Sequence, residues 1–442
     1  MIIKEIFIKE NDNLFFKLID LNIPFKEVEK DLKNISEKIY NNQIGYLQFK
    51  DKNENLFKIY ILPKILEEPQ TEQEKLKAKE NFSKYMNLAF SLIDKYQNKL
   101  NIKEFKHIET LLNQYKKTTK TAGAVNFEEL LYLKYNLAFE EIFSYFQKHK
   151  AYIFEEKSYF SQTLKHKINL RKNIKEINKT KIHQIKKETL IYSQLAYISY
   201  QVLNFFEEKI LNNFEEGIKE KLFYISTKVK NLLKKKYKIH TTKKANINKM
   251  LSNNTKTLFK KPEDKKLYSY LLTLLGIEII EKEEKDIYFS SKIPTFFISP
   301  ERVYEVFVYD WLKEKFSTRK IEIEIEIKFQ GKKTFYLKSN SKKIEIEKES
   351  KPDIILCKRD RLILIDCKWK IIEKIGDIDL EDILKLERDK RVWSENKVKI
   401  VPILVYPSIK INDKTFKISF SKNDNFKFCI LEKRICISSY RL

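Results

Sequence analysis

The chain has 442 residues and a net charge of +26, enough length for about two to four domains with substantial cores. So large a positive field favours polyanionic partners, nucleic acid above all. The longest uncharged runs, LIYSQLAYISYQVLNFF and LYSYLLTLLGIEII, are too short or too polar to span a bilayer, and MIIKEIFIKE lacks a signal-peptide pattern, so a cytoplasmic protein is expected with no membrane partner.

Residues 1–66 alternate strand-like runs with a short helix, and Asn53-Glu54-Asn55 reads as a hairpin turn between QIGYLQFKD and LFKIYILPKI. Residues 67–290 read as a mostly helical, basic region. No proline intervenes from Pro69 to Pro262, and FSKYMNLAFSLIDKYQNKL and NFEELLYLKYNLAFEEIFSYFQKH carry apolar residues at three- and four-residue spacing. Its aromatics, among them Tyr192, Tyr197, Tyr200, Phe205 and Phe206, are expected as helix core rather than as a base-stacking platform. The charge is clustered here. Lys228 to Lys266 holds 14 lysines against Glu263 and Asp264, and Lys165 to Lys187 holds nine basic residues against Glu176. A charge run is usually a solvated face, but clusters of this density favour a DNA surface, with Lys234, Lys235 and Lys236 as candidate phosphate contacts.

Residues 291–442 follow a different pattern. SPERVYEVFVYDWLKEKF predicts a helix with Ser299 as N-cap and Pro300 at its first position. KIEIEIEIKF alternates strictly, as a half-buried strand does, and TFYLK and KKIEIE read as two further strands. KPDIIL and LILIDCKWK then form two apolar strands about the turn KRDR, before the helix LEDILKLERDKRVW and the buried strand VKIVPILVYP.

The two central strands carry the chemistry. Side chains alternate along a strand, so Asp366 and Lys368 face one way while Ile365, Cys367 and Trp369 face the other, and Asp353 on the neighbouring strand completes a site. A few carboxylates hold Mg²⁺ and leave positions for water and a phosphate, while a lysine orients the water or offsets developing charge. This is the PD-(D/E)xK nuclease pattern: Asp353, Asp366 and Lys368 as catalytic residues, with Mg²⁺ or Mn²⁺ bound by Asp353, Asp366 and the backbone carbonyl of Cys367. Glu305, among apolar neighbours on the preceding helix, is a candidate third carboxylate for catalysis and metal. A bare motif of this length also arises by chance among solvated Lys and Asp; the helix, strands, helix, strand order around it is what favours the catalytic reading.

Zinc is not expected, because Cys357, Cys367, Cys429 and Cys436 lack CxxC spacing and every histidine lies upstream. Gly331-Lys332-Lys333-Thr334 has no upstream glycine at Walker spacing, so no nucleotide is expected on this chain.

Two separated regions resemble the McrC-type nuclease subunits of modification-dependent restriction systems and the related proteins that share their nuclease domain. YEVFVYDWL, KPDIIL, LIDCKWK, EDILKL and ILVYP match the family's helix glutamate, its PD, its D-x-K-aromatic-basic run, its following helix and its closing strand. QIGYLQF and IYILPKI resemble its Val-Gly hairpin and Pro-Lys-Ile signature. Where the family carries a Gln and, one turn later, a Tyr, this chain has Lys385 and Asp389, leaving Lys385 as a candidate phosphate contact beside the alternative of a solvated lysine. The resemblance implies an α/β restriction-endonuclease-like C-terminal domain, a β-rich partner-docking region at 1–66, and work on double-stranded DNA with a McrB-like AAA+ GTPase. The alternatives are a stand-alone restriction or repair nuclease that reads DNA through its helical region, and a nucleic-acid-binding protein on a decayed nuclease fold.

Overall fold

A computed structural model describes residues 2–39, 43–96, 111–115, 125–149, 154–161, 167–168, 173–174, 182–189, 192–239, 259, 261–282, 285–317, 326–329, 333–339, 342–358, 361–372, 377–394, 399–407, 415–419 and 425–431. The expected connections TKTAGAV and SNNTKT, most of the charge between Lys238 and Lys260, Cys436, and residues 318–325 of the alternating strand lie largely or wholly outside them.

The first sheet has the order β1-β3-β2-β9, built from β1 (Ile3–Lys9), β2 (Ile44–Lys50), β3 (Leu56–Leu62) and β9 (Thr295–Ile298). β1 runs parallel to β3, and β2 is antiparallel to both β3 and β9. The hairpin turn is where the sequence puts it: the Asp51 carboxylate accepts from the Asn53 and Asn55 amides at 2.8 and 2.9 Å, and Glu54 turns to φ 60°. Every residue of β2 and β3 is buried, because both faces are covered. Helices α1 (Leu14–Asp20) and α2 (Glu29–Ile39) pack on Ile8, Leu47, Phe49 and Phe57; the other face, with Tyr46 and Tyr60, meets Phe82 and Phe127.

β9 belongs by sequence to the C-terminal third, yet it hydrogen-bonds into this N-terminal sheet, Ile44–Leu47 facing Thr295–Ile298. Gly45 is the reason the approach is possible. A Cβ there would lie 2.0 Å from the Phe296 carbonyl oxygen, and the residue sits at φ 157°. Gly45 therefore serves strand pairing.

Among the described residues, the long helices of the middle region are α3 (Glu72–Tyr96), α4 (Phe127–Lys148), α5 (Tyr192–Phe205), α6 (Glu216–Tyr237) and α7 (Pro262–Leu274). Asn126 caps α4, accepting from the Glu128 and Glu129 amides. Tyr200 and Phe206 are buried, and Tyr197 and Phe205 pack against the core, so these four aromatics are helix core as expected. The region also contains strands that the helical expectation missed: the sheet β4 (Phe154–Ser161), β6 (Ile182–Thr189), β5 (Lys167–Ile168), and the hairpin β7 (Ile277–Lys282) with β8 (Lys285–Ser290). Absence of proline is as compatible with a strand as with a helix, and residues 154–189 lack a sustained apolar stripe at helical spacing.

The C-terminal part is a six-stranded mixed sheet, order β10-β13-β14-β15-β17-β16, from β10 (Glu326–Phe329), β13 (Ile354–Lys358), β14 (Arg361–Cys367), β15 (Lys399–Pro407), β16 (Thr415–Ser419) and β17 (Asn425–Leu431). β14 pairs antiparallel with β13 and parallel with β15. The strands β11 (Lys333–Ser339) and β12 (Lys342–Ser350) form a separate hairpin, so β10 pairs directly with β13. Helix α8 (Pro300–Ser317) starts as the sequence predicts, with the Arg302 amide donating to Ser299 Oγ at 3.3 Å. Helix α9 (Leu380–Trp393) lies between β14 and β15, the crossover connection that a parallel pair demands. One apolar core runs continuously from Phe7 and Tyr46 through α3 and α4 to Tyr304, Ile365 and Trp369. Residues 1–66 and 291–442 are thus not separately packed bodies.

Candidate active site

The motif residues meet at the C-terminal end of β14. Asp353 immediately precedes β13, and its Oδ2 accepts a 2.6 Å hydrogen bond from the Cys367 amide, which ties the two strands together at the motif. Asp366 is 1 % exposed and lies between two ammonium groups: Lys385 Nζ donates to its Oδ1 at 2.8 Å, and Lys368 Nζ lies 2.8 Å from its Oδ2. Lys368 also reaches Asp382 at 3.4 Å, and Lys370 binds Asp382 at 3.0 Å and Asp379. Glu305, buried on α8, takes both Arg302 Nη1 contacts at 2.8 and 2.9 Å. Ile365, Cys367 and Trp369 point the other way into the core, as strand alternation requires.

The electrostatics follow. Burial pushes Glu305 up to about 7 against the pull of Arg302, with Glu301 and Asp366 adding to the rise. Burial also raises Asp353 well above the usual carboxylate range, and Glu305 and Asp366 raise it further. Burial opposes ionisation of Asp366 as well, but Lys385 and Lys368 outweigh it and hold this carboxyl below its ordinary value. For Lys368, burial is outweighed by Asp366, so its ammonium is held firmly protonated. Three carboxylates that feel one another in a low-dielectric site form a negative cluster around one ionised member.

Among the described residues, no three His, Cys, Asp or Glu side chains converge as placed into a ready metal cage. Lys368, Lys385 and Arg302 supply the positive charge at these carboxylates. The donor chemistry nevertheless fits a hard divalent cation: the oxygens are carboxylate, and the repulsion that raises Asp353 and Glu305 is what added positive charge relieves.

From sequence, Asp353, Asp366, Lys368 and Glu305 belong to one site and Lys385 stands apart as a phosphate contact; the structure places Lys385 at Asp366 and adds Arg302, Asp382 and the contacts made by Trp369. Arg302 lies one turn before Glu305 and Asp382 three residues before Lys385, so helical spacing was the available signal. Lys385, weighed as a phosphate contact or a solvated lysine, instead caps the Asp366 carboxylate. Asp389, at the family's Tyr position, is fully buried against Arg388.

The Trp369 indole Nε1 donates at 2.6 Å to Oε1 of Glu10, a buried residue just past β1. Lys64, just past β3, lies 3.5 Å from the same oxygen and 5.5 Å from the Trp369 ring centroid. Burial pushes Glu10 up to about 7 although Lys64 and the indole pull it down, and its Oε2 has no hydrogen-bond partner.

The basic candidates on α6 divide. Lys234 and Lys235 are exposed, Lys234 lying over the Tyr200 ring at 5.5 Å. Lys236 turns inward and donates to the Phe146 and Gln147 carbonyls at 2.7 and 2.8 Å. It satisfies the open carbonyls at the end of α4, and this correction removes it from the candidate phosphate contacts.

A model of the McrBC 5-methylcytosine restriction system component family matches residues 39–407, most of the chain and all of the site just described except Glu10. The chain belongs to this family. The McrBC match confirms the resemblance carried by the two motif regions. Similar solved structures include a half-complex from the tetradecameric assembly of Thermococcus gammatolerans McrB AAA+ hexamers with bound McrC, at 13% identity over 96% of this chain and 94% of that one, TM-score 0.41. The cryo-EM structure of the Thermococcus gammatolerans McrBC complex follows at 13% identity over 72% and 89%, TM-score 0.31. No curated protein matches the chain. No described helix of this McrBC family member is long and apolar enough to cross a membrane.

Proposed function

We propose that the chain is the cleavage subunit of a McrBC-type restriction system, a Mg²⁺-dependent DNA endonuclease whose residues 291–442 form a PD-(D/E)xK nuclease domain. The observation that carries this reading is Asp366, buried and ionised between Lys368 and Lys385 at the end of β14, with Asp353 and Glu305 in the same electrostatic cluster. Asp353, Asp366, Glu305 and the Cys367 carbonyl would hold the metal, Mg²⁺ or Mn²⁺. When bound, that ion supplies Lewis acidity at the phosphate and a more acidic water.

Lys368 is kept protonated, so its role is electrostatic: it offsets the charge that builds on the phosphoryl oxygens as water attacks and the P–O bond breaks. Lys385, more exposed than Lys368, is the ammonium at Asp366 that would be free to reach the phosphate backbone of a bound duplex. Lys234 and Lys235 bind duplex phosphates independently of sequence. A McrB-like AAA+ GTPase supplies target choice and nucleotide dependence, with the N-terminal sheet on the docking side, and the protein works in the cytoplasm.

Cleavage of supercoiled DNA with partner, GTP and Mg²⁺, read beside metal binding by calorimetry, tests this. Asp366→Asn abolishes cleavage and weakens metal binding, whereas Lys368→Ala leaves the metal bound and slows cleavage by roughly a hundredfold. Cutting at near wild-type rate by Asp366→Asn would sink the assignment.

A further inference from the structure

Lys368 is held at three points. Its side chain is paired with Asp366 and Asp382, and its backbone amide donates to the Val405 carbonyl at 2.8 Å. The third point is the next residue. The Lys370 amide returns to the Lys368 carbonyl at 2.9 Å, so the chain makes a three-residue turn with Trp369 at its centre. That turn sends the Lys368 side chain into the carboxylate cluster and the indole into the core on the opposite side.

The indole does not rest on the C-terminal sheet alone. Its ring lies 5.4 Å from that of Tyr304, the residue before Glu305, and 6.4 Å from Tyr85 of α3. Its N–H is taken by Glu10 and its face by Lys64. Glu10 and Lys64 leave the adjacent parallel strands β1 and β3 at the same end, where the Glu10 amide donates to the Leu62 carbonyl at 2.9 Å. The ion pair is therefore rigidly mounted on the N-terminal sheet, more than 300 residues away in the chain. Burial of the Glu10 carboxyl outweighs the pull of Lys64 and the indole and so opposes stability, which leaves the contact poorly explained as a device for holding the fold.

We infer that Glu10 and Lys64 are positioning residues for the nuclease site: through Trp369 they fix the turn that carries Lys368 and the α8 turn that carries Glu305. This inference rests on the proposed nuclease activity. It makes the Pro63-Lys64-Ile65 signature part of the site's support as well as of the docking half. The indole N–H needs an acceptor at this point and Lys64 needs a counter-charge; Glu10 serves both.

The test uses the full chain with its AAA+ partner, comparing wild type, Glu10→Ala, Glu10→Gln and Trp369→Phe in single-turnover cleavage with Mg²⁺, beside duplex binding and ¹⁵N-indole NMR. Glu10→Ala and Trp369→Phe should slow cleavage by roughly tenfold to a hundredfold at unchanged duplex affinity. Glu10→Gln, whose amide oxygen still accepts, should recover most of the rate. The Trp369 indole resonance, assigned by its loss in Trp369→Phe, should shift in Glu10→Ala and return toward wild type in Glu10→Gln. Unchanged cleavage in Glu10→Ala alongside a shifted indole resonance would overturn the positioning role and leave the nuclease reading intact. No metal-dependent cleavage by the wild-type chain, or equal cleavage by Asp366→Asn, would overturn both. If Glu10→Ala does not fold, Trp369→Phe and Glu10→Gln decide alone: a wild-type rate in Trp369→Phe refutes the role.

Discussion

Replacing Glu10 by glutamine removes a charge and keeps the shape and the acceptor for the Trp369 indole. Glu10 is 2 % exposed and titrates at about 7 in the folded chain against 4.5 as a free carboxyl, burial being the main cause. The folded state therefore holds this proton more tightly than the unfolded state. The associated stability is fully present below pH 4.5 and is lost as pH rises through 7. One pKa step is worth about 1.4 kcal/mol, so between pH 5 and pH 8 the wild-type chain should lose roughly 2.5 kcal/mol from this group alone. Glutamine has nothing to titrate. Glu10 is a counter-charge to Lys64 only where it is ionised, and the pull of Lys64 is already contained in the titration at about 7, so the pair adds no separate tilt. The stability difference between Glu10→Gln and wild type should thus move by roughly 2.5 kcal/mol in favour of the variant from pH 5 to pH 8. Urea denaturation followed by tryptophan fluorescence at four pH values measures it. Parallel curves for the two proteins would refute the claim that Glu10 is buried beside an insufficient counter-charge.

On α6, Lys235→Gln should weaken binding to all duplexes alike and flatten the salt dependence by close to one counterion, whereas Lys236→Gln should leave the salt slope unchanged and lower stability by about 1 kcal/mol through the uncapped α4 carbonyls; equal salt effects in filter-binding titrations would contradict the division. Gly45→Ala puts a methyl group 2.0 Å from the Phe296 carbonyl, so it should cost roughly 2–4 kcal/mol and loosen β9 from β2; hydrogen exchange at Thr295–Ile298 no faster than in wild type would show that the close approach does not hold the strand.

The chemistry was legible where it is local. Alternation along LILIDCKWK assigns Asp366 and Lys368 to one face and Trp369 to the other, and the Ser299-Pro300 cap places the start of α8, hence the position of Glu305 on it. What stayed hidden depends on distant partners. TFFI is not among the strands read from the sequence, and nothing in its four residues says that its neighbour is β2 rather than the sheet that follows. Lys236 looks like Lys234 and Lys235 in sequence; its role appears only when the end of α4 lies beneath it. Glu10 carries no local signal at all, since a glutamate ending a strand is ordinarily solvated. The β4-β6-β5 sheet escaped because charged pairs such as Glu156 opposite Lys187 support strand pairing without an apolar period.

The strand that closes the N-terminal sheet is made long after the sheet itself. β2 acquires its second neighbour only when Thr295–Ile298 are synthesised, about 250 residues later, which at ordinary rates of translation is a delay of roughly 12 to 50 s. Through that interval the nascent chain exposes an open, apolar β edge of the kind that recruits other strands. The edge includes Gly45, where the Phe296 backbone comes close in the finished molecule. Ribosome-bound chains ending before residue 295 are therefore the stage at which this protein most needs a chaperone, and a premature stop in the middle region would release an N-terminal sheet with its edge still open.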